Sequence, residues 1–230
     1  MRRLCLCIVM IFFPITAGAQ DAQTAAIGAR PLMRPAAAEV VLPPMRWNSH
    51  PESDEWTRSA VRALRDHGAP LTHVVPRDVD TWCPGYRDAG PSARRAFWVG
   101  FLSALAKHES TYRPHAVGGG GRWFGLLQIL PATARHYGCV AGSGAALKDG
   151  GANLSCAIRI LAVTVPRDAA IALKDGRWRG VAADWGPLRS ESKRADMARW
   201  LRAQPYCAIT RSPRPVARPA LSLPIRMARD

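Results

Sequence analysis

The stretch from Pro91 to Glu109 constrains this chain more than any other. Phe97, Phe101, Ala104, Leu105 and His108 recur at spacings of three and four. Trp98, Leu102 and Ala106 widen the apolar surface beyond one stripe. A helix that is apolar on most of its faces must be surrounded by other elements, so this segment predicts the central helix of a domain. Pro114 stops its continuation, and Gly118 to Gly121 follow as a loop.

The rest of the chain supplies what could surround such a helix. Ser53 is placed to cap a helix ending near Gly68, with Trp56, Ala60, Val61 and Leu64 on its apolar face. A loop with Pro76, Pro84 and Gly85 leads to the central helix. Beyond it, Arg122 to Leu130 reads as a short hairpin or extended turn, and Pro131 as the first residue of a helix ending near Gly138. Asn153 is placed to cap a helix running to about Val165, before Pro166. Further helices are expected at 177–185 and 189–203. No internal repeat occurs. The expected fold is mainly α (α+β), a helical domain with at most a small β-hairpin.

The ends read differently. Arg2 and Arg3 precede an apolar run from Leu4 to Ile15, and Ala17-Gly18-Ala19 supplies a small-residue cleavage pattern. Residues 1–19 therefore read as a removable signal peptide, with an uncleaved anchor as the alternative. Cys5 and Cys7 lie inside it without the small residue expected before a lipidated cysteine. Residues 20–52, rich in Pro, Ala and Arg, read as an extended linker. The folded domain is expected over 53–207, and 208–230 returns to Pro and Arg as a basic tail.

Cleavage after Ala19 leaves Cys83, Cys139, Cys156 and Cys207. An even number in an exported chain implies two disulfides, and sequence leaves three pairings open. The favoured pairing joins Cys139 to Cys156 over a short loop and Cys83 to Cys207 across the domain. No Cys-x-x-Cys pair occurs and the spacings are wide, which argues against zinc; no metal or other cofactor is implied. The formal charge of +15 favours polyanions. For an exported chain these are anionic wall or membrane surfaces, with the basic tail as one point of attachment. No nucleic-acid motif is present, so no nucleic-acid partner is expected.

Glu109 ends the most apolar helix. Burial and the negative end of the helix dipole both raise a carboxyl pKa, as a general acid at neutral pH requires. The run Glu109-Ser110-Thr111-Tyr112-Arg113-Pro114-His115-Ala116 resembles the catalytic motif of the Slt-type lytic transglycosylases, Glu-Ser-x-aromatic-x-Pro-x-Ala. Further on, Gly125-Leu126-Leu127-Gln128-Ile129 resembles that family's Gly-Leu-Met-Gln block, continued by Pro131, Thr133 and Ala134. Asn153 to Leu161 is similar to a third block, in which an Asn begins a long helix. The resemblance covers roughly residues 97–188.

The resemblance implies a lysozyme-like fold close to goose-type lysozyme. It also implies cleavage of the β-1,4 bond between N-acetylmuramic acid and N-acetylglucosamine in peptidoglycan glycan strands. One carboxylate, Glu109, would serve as acid and then base, leaving a 1,6-anhydromuramic end. Ser110 would lie near substrate or hydrogen-bond the helix end. Gln128 would bind sugar hydroxyls or acetamido groups. Gly125 would allow close backbone approach, and Tyr112 would stack on a sugar or pack. The periplasm is the implied location.

Two departures from the pattern matter. Phe124, preceded by Trp123, replaces a small residue before Gly-Leu. The family's Ala-Tyr-Asn before Gly-Pro becomes Ala182-Ala183-Asp184, ahead of Trp185-Gly186-Pro187. Asp184 thus offers a carboxylate in place of an amide. That keeps two alternatives open: a lysozyme-like hydrolase with Asp184 as second carboxylate, and a non-catalytic peptidoglycan-binding module.

Overall fold

The computed structural model describes residues 42–209; the expected signal peptide and nearly all of the basic tail lie outside them. The central helix is α4, Pro91–Glu109. It forms because its apolar residues leave no polar face to solvate: every side chain from Ala96 to Ala106 is buried. Around its first half Trp82, Tyr86, Phe97, Trp98 and Phe101 meet edge to face, with centroids 5.0 to 6.5 Å apart, the geometry ring quadrupoles prefer. The Trp98 indole donates to the Tyr86 hydroxyl at 2.9 Å, so this polar pair is satisfied inside the core.

Helices α1 (Ser53–Arg65) and α2 (Ala69–His73) pack on α4 and on α6 (Gly150–Asp168). Acids in the first turn of α1, Asp54 and Glu55, and Arg62 and Arg65 in its last complement its dipole. The short α3 (Val79–Trp82) and α8 (Glu191–Arg202) close another side of the core. Between α4 and α6 lie the hairpin β1 (Val117–Gly118) and β2 (Trp123–Phe124), paired antiparallel, and α5 (Pro131–His136). Gly119, Gly120 and Gly121 take φ of 56°, 65° and 90°, so the glycine run is the turn of this hairpin. The mainly helical expectation holds, with two very small hairpins.

Four local expectations are corrected. Asn153 does not cap α6. Asp149 does, its carboxylate accepting from the Ala152 amide at 2.7 Å, and Asn153 is turned inward. Pro166 does not end α6, which runs on to Asp168 and stops where Ala169 turns left-handed at φ 47°. Residues 177–185 are not one helix: Lys174–Asp175 (β3) and Arg177–Trp178 (β4) form a hairpin, followed by α7 (Val181–Asp184). Finally, residues 42–52 do not behave as a linker. Met45 and Trp47 are buried, and the Trp47 indole donates to Thr57 Oγ1 at 3.0 Å. Composition hid a series of tight turns, Asn48 N–H to the Met45 carbonyl at 3.2 Å and His50 N–H to the Trp47 carbonyl at 2.8 Å, that sets Met45 and Trp47 into the core.

Both favoured cysteine pairs are present: Cys83 bonds Cys207, and Cys139 bonds Cys156. They close loops with sequence separations of 124 and 17 residues. On loop-closure grounds they stabilise the fold by roughly 5 and 3 kcal/mol. The first ties the end of α3 to the last turn of the domain.

Candidate active site

Glu109 is the last helical residue of α4. Its position is set by how the helix ends. The amides of Ser110 and Tyr112 and the hydroxyl of Ser110 all turn to the Ala106 carbonyl, at 3.0, 3.5 and 3.3 Å. Thr111 and Tyr112 follow with φ of 53° and 61°, a left-handed pair that throws the chain away from the helix axis. Strain of this kind needs surrounding structure to hold it. Pro114 and the Arg113 guanidinium supply some, with Arg113 Nε donating to the Ser110 carbonyl at 3.0 Å.

The Glu109 carboxyl accepts no hydrogen bond from any described residue and is only partly exposed. Burial raises its pKa to about 7, and Lys193 pulls it slightly the other way. A carboxyl so placed is half protonated near neutral pH and can give a proton or take one.

The second motif forms a tight loop. Phe124 and Ile129 exchange backbone hydrogen bonds at 3.1 and 3.0 Å, and the Gly125 amide reaches the Ala116 carbonyl at 3.0 Å. Gly125 has φ +82°, and a Cβ there would meet the Leu147 carbonyl at 2.1 Å and Asn153 Nδ2 at 2.2 Å. Only glycine fits. The close approach is to the protein's own backbone and to Asn153.

Asn153 has a role here that the sequence did not disclose. It is fully buried. It accepts from the Leu127 amide at 3.0 Å and donates to the Phe124 and Leu147 carbonyls, both at 2.9 Å. One amide thus staples the whole Gly125–Gln128 loop to α6. Trp185 adds a further tie, its indole donating to the Leu127 carbonyl at 2.9 Å. The Asn at the start of the third block was visible in the sequence; its inward direction was not.

Gln128, at φ 48°, donates from Nε2 to the carbonyls of Gly125 at 2.8 Å and Ala116 at 3.2 Å. Its amide nitrogen therefore serves the loop, and its Oε1 is left as the acceptor. Gln128 and Asp184 line a common cavity of about 150 Å³ with Trp123, Ile129, Leu130, Thr133, Ile160 and Trp185. Trp123 is 41% exposed and sets a flat apolar face beside these polar groups. Partial burial raises the Asp184 carboxyl, opposed by Arg167 and Arg189.

Glu109 is not part of the lining of that cavity. Asp184 is not among the charges acting on Glu109, nor Glu109 among those acting on Asp184. Ser110 is buried, its hydroxyl on the Ala106 carbonyl. Tyr112 is half-buried against the core, and burial raises its phenol pKa. Among the described residues no cluster of His, Cys, Asp or Glu could hold a metal ion.

Behind Glu109 lies a polar clamp without a sequence signature. Asp196 on α8 takes both Nη atoms of Arg46, at 2.7 and 3.0 Å, and also meets His108 Nε2 at 2.8 Å and Lys107 Nζ at 3.5 Å. The Arg46 amide meanwhile donates to Ser103 Oγ at 3.0 Å. The entry segment, α4 and α8 are thereby joined beside the turn that follows Glu109. The partners lie up to 150 residues apart, so no local pattern announces them.

A helical domain whose buried central helix ends on a partly buried carboxyl raised to about 7, and which is followed by a hairpin and a glycine-pinned loop, is of the lysozyme-like class. Residues 90–167 match the family model described as Transglycosylase SLT domain. The solved structure titled Bd0314 DslA wild-type form 2 aligns with TM-score 0.67 and 30% identity, covering 73% of this chain and 100% of that one. Two structures of Glu-to-Gln mutants of Bd0314 DslA align similarly. One has TM-score 0.65 and 31% identity over 70% of this chain and 96% of its own. The other has TM-score 0.66 and 30% identity over 73% and 98%. No curated protein matches. The chain belongs to the Slt-type transglycosylase family, whose members are peptidoglycan-acting lytic transglycosylases. No described helix is long and apolar enough to cross a membrane, and the two disulfides suit an oxidising compartment.

Proposed function

We propose that this chain is an exported lytic transglycosylase that cleaves the N-acetylmuramic acid–N-acetylglucosamine bond with Glu109 as its single proton-transferring carboxylate. Protonated Glu109 gives its proton to the bridging oxygen as the C1–O bond breaks. The resulting carboxylate takes the proton of the same sugar's C6 hydroxyl, and O6 bonds to C1. The ring closes as a 1,6-anhydro end and Glu109 finishes protonated, ready for another cycle. No water is consumed. The nucleophile is tethered to the reacting sugar, which gives it a very high effective concentration.

The observation that carries this reading is the Glu109 carboxyl itself: partly buried, without a hydrogen-bond partner among the described residues, and raised to about 7. A group that must serve as acid in one step and base in the next needs a pKa near the working pH. Asp184 lines a cavity to which Glu109 does not contribute, which favours one working carboxylate over a pair. Trp123, Gln128 and Asp184 are assigned to sugar binding, with Gly125 shaping the loop that presents Gln128. Ser110 and Tyr112 support the turn that aims Glu109. The N-terminal leader and the disulfides support a periplasmic location, and the basic tail supports contact with an anionic envelope surface.

Mass analysis of the products released from purified sacculi tests this. Wild type should yield anhydro ends, lighter by one water than reducing ends, and Glu109→Gln should yield neither. Reducing ends alone would replace the proposal with hydrolysis assisted by Asp184. Binding without turnover by wild type would replace it with a non-catalytic module.

A further inference from the structure

A second cleft, of about 430 Å³, opens on the chain that leaves Glu109. It is lined by His50, Arg113, Pro114, His115, Ala116 and Val117. That volume lies in the range of small-ligand sites, about 300–1,000 Å³. It shares no lining residue with the Gln128–Asp184 cavity, yet the two are joined: Ala116 lines this cleft while its carbonyl accepts from Gln128 Nε2 at 3.2 Å.

The lining carries three cationic or protonatable side chains and no acid. Two of them are held from below. The His50 ring stacks on Trp56 with centroids 4.3 Å apart, and Arg113 Nε is fixed on the Ser110 carbonyl at 3.0 Å. Among the described residues neither Nη of Arg113 finds an acceptor, and none of the three side chains meets a carboxylate. A guanidinium anchored through Nε presents its remaining N–H edge to the cleft, in the geometry that suits a carboxylate. The other wall is apolar: Pro114, Ala116 and Val117, the last 47% exposed. A ligand for this site carries a carboxylate at one side and small apolar groups at the other. A bare phosphate would leave charged oxygens against the apolar wall without partners.

We propose that this cleft is a subsite for the carboxylate-bearing peptide that branches from muramic acid on the glycan strand. The inference rests on the reading of the chain as a peptidoglycan-cutting enzyme. That substrate carries short peptides rich in alanine methyls and free carboxylates. Arg113 is anchored to the residue next to Glu109. A peptide held there fixes the muramic acid it hangs from, and so which glycosidic bond is offered to the carboxyl.

The test measures binding of the free stem tetrapeptide, L-Ala-γ-D-Glu-meso-diaminopimelate-D-Ala, to the full chain carrying Glu109→Gln. Turnover then plays no part in the readout. The expected result is saturable binding that moves the imidazole proton resonances of His50 and His115. Arg113→Gln in the same background should weaken binding by about tenfold, as should amidation of the peptide carboxylates with Arg113 intact. His115→Gln removes a side chain that makes no hydrogen bond to the protein, so it leaves the fold alone; it should weaken binding by about threefold. Absence of binding at millimolar peptide overturns the proposal. So does an unchanged affinity in Arg113→Gln, or inorganic phosphate binding more tightly than the peptide. Failure of wild type to cut sacculi would overturn the proposed activity without altering these affinities, so the two readings fail separately.

Discussion

His108 stands between two carboxylates of opposite character. Glu109 follows it in the chain, and Asp196 is bonded to it across the fold at 2.8 Å. Burial pushes up both acids. At Glu109 only the smaller pull of Lys193 among the described residues answers, and the carboxyl sits near 7. At Asp196 the Arg46 fork and His108 more than reverse the effect and hold the carboxyl far below the usual aspartate range. His108 itself is pulled down by burial, partly offset by Asp196. The desolvation is common to both, so the pairing decides. The paired carboxylate holds three segments together, and the unpaired one is left free to exchange protons.

The sharpest break of this comparison is in activity. Glu109→Gln keeps the shape and removes the titrating proton. Turnover of sacculi should fall on the order of 10³-fold or more, the scale of a lost general acid that also serves as base. Asp196→Asn keeps Glu109 intact and loosens only its support, so a loss nearer tenfold is expected, mostly in kcat. Equal losses in the two variants would show that the division between a working and a holding carboxylate is wrong.

In stability the order reverses. Asp196→Asn leaves the Arg46 guanidinium, whose side chain is only 13% exposed, without its anion. The expected cost is about 2–3 kcal/mol by urea unfolding at pH 7. A cycle with Arg46→Met should show strong coupling between the two positions. Glu109→Gln should instead stabilise by about 2 kcal/mol at pH 8, because it removes a charge that the fold desolvates without compensation.

The pH dependence separates the two further. The Glu109 pKa is raised from 4.5 to about 7 on folding, so the unfolded chain ionises first. Stability is intact below about pH 4.5 and is lost as pH rises through about 7. Glu109→Gln should flatten that slope in thermal melts. The Asp196 pKa is lowered, so its contribution is full above 3.8 and is lost as pH falls through the lower folded value. Wild type and Asp196→Asn should therefore converge in acid and differ by a constant amount above about pH 4. In kinetics, kcat/KM should fall as pH rises past about 7, as the acid form of Glu109 disappears.

The same contrast marks what the sequence disclosed. The unpaired carboxyl was legible because everything that makes it is local. An apolar helix of period 3.6 ends at Glu109, and the Glu-Ser motif and the Gly-Leu-Leu-Gln block lie close behind it. Its bounds, Pro91 to Glu109, are those of the observed helix. The sequence left three cysteine pairings open, and the favoured one, with Cys139 joined to Cys156 over a short loop, is the one observed. The clamp was not legible, because Arg46 and Asp196 meet from opposite ends of the domain, and Arg46 sits in a segment whose prolines and alanines suggested a linker. Asn153 was noticed for its place at a helix start, but its three hydrogen bonds depend on the Gly125 loop folding back against α6. Trp178 was read as helical, whereas the left-handed Gly176 and Gly180 around it favour a hairpin. Interactions within a turn or two could be read, and those requiring the chain to return could not.

The smallest expected effect tests the claim that Glu109 lacks a partner. Lys193, an exposed residue on α8, is among the described residues the one charge that acts on Glu109, and it lowers the carboxyl against the larger effect of burial. If the pKa is set by desolvation, Lys193→Gln should move the alkaline limb of kcat/KM upward, the direction in which losing a nearby cation sends an acid. The shift should be slight and should shrink as salt is added, because Lys193 interacts through solvent. The corresponding change at the clamp, Lys107→Gln, should leave this limb in place, since Lys107 serves Asp196 at 3.5 Å. A large shift in Lys193→Gln that resists salt would mean that Glu109 works in a tight ion pair after all. Its difference from Asp196 would then be one of degree.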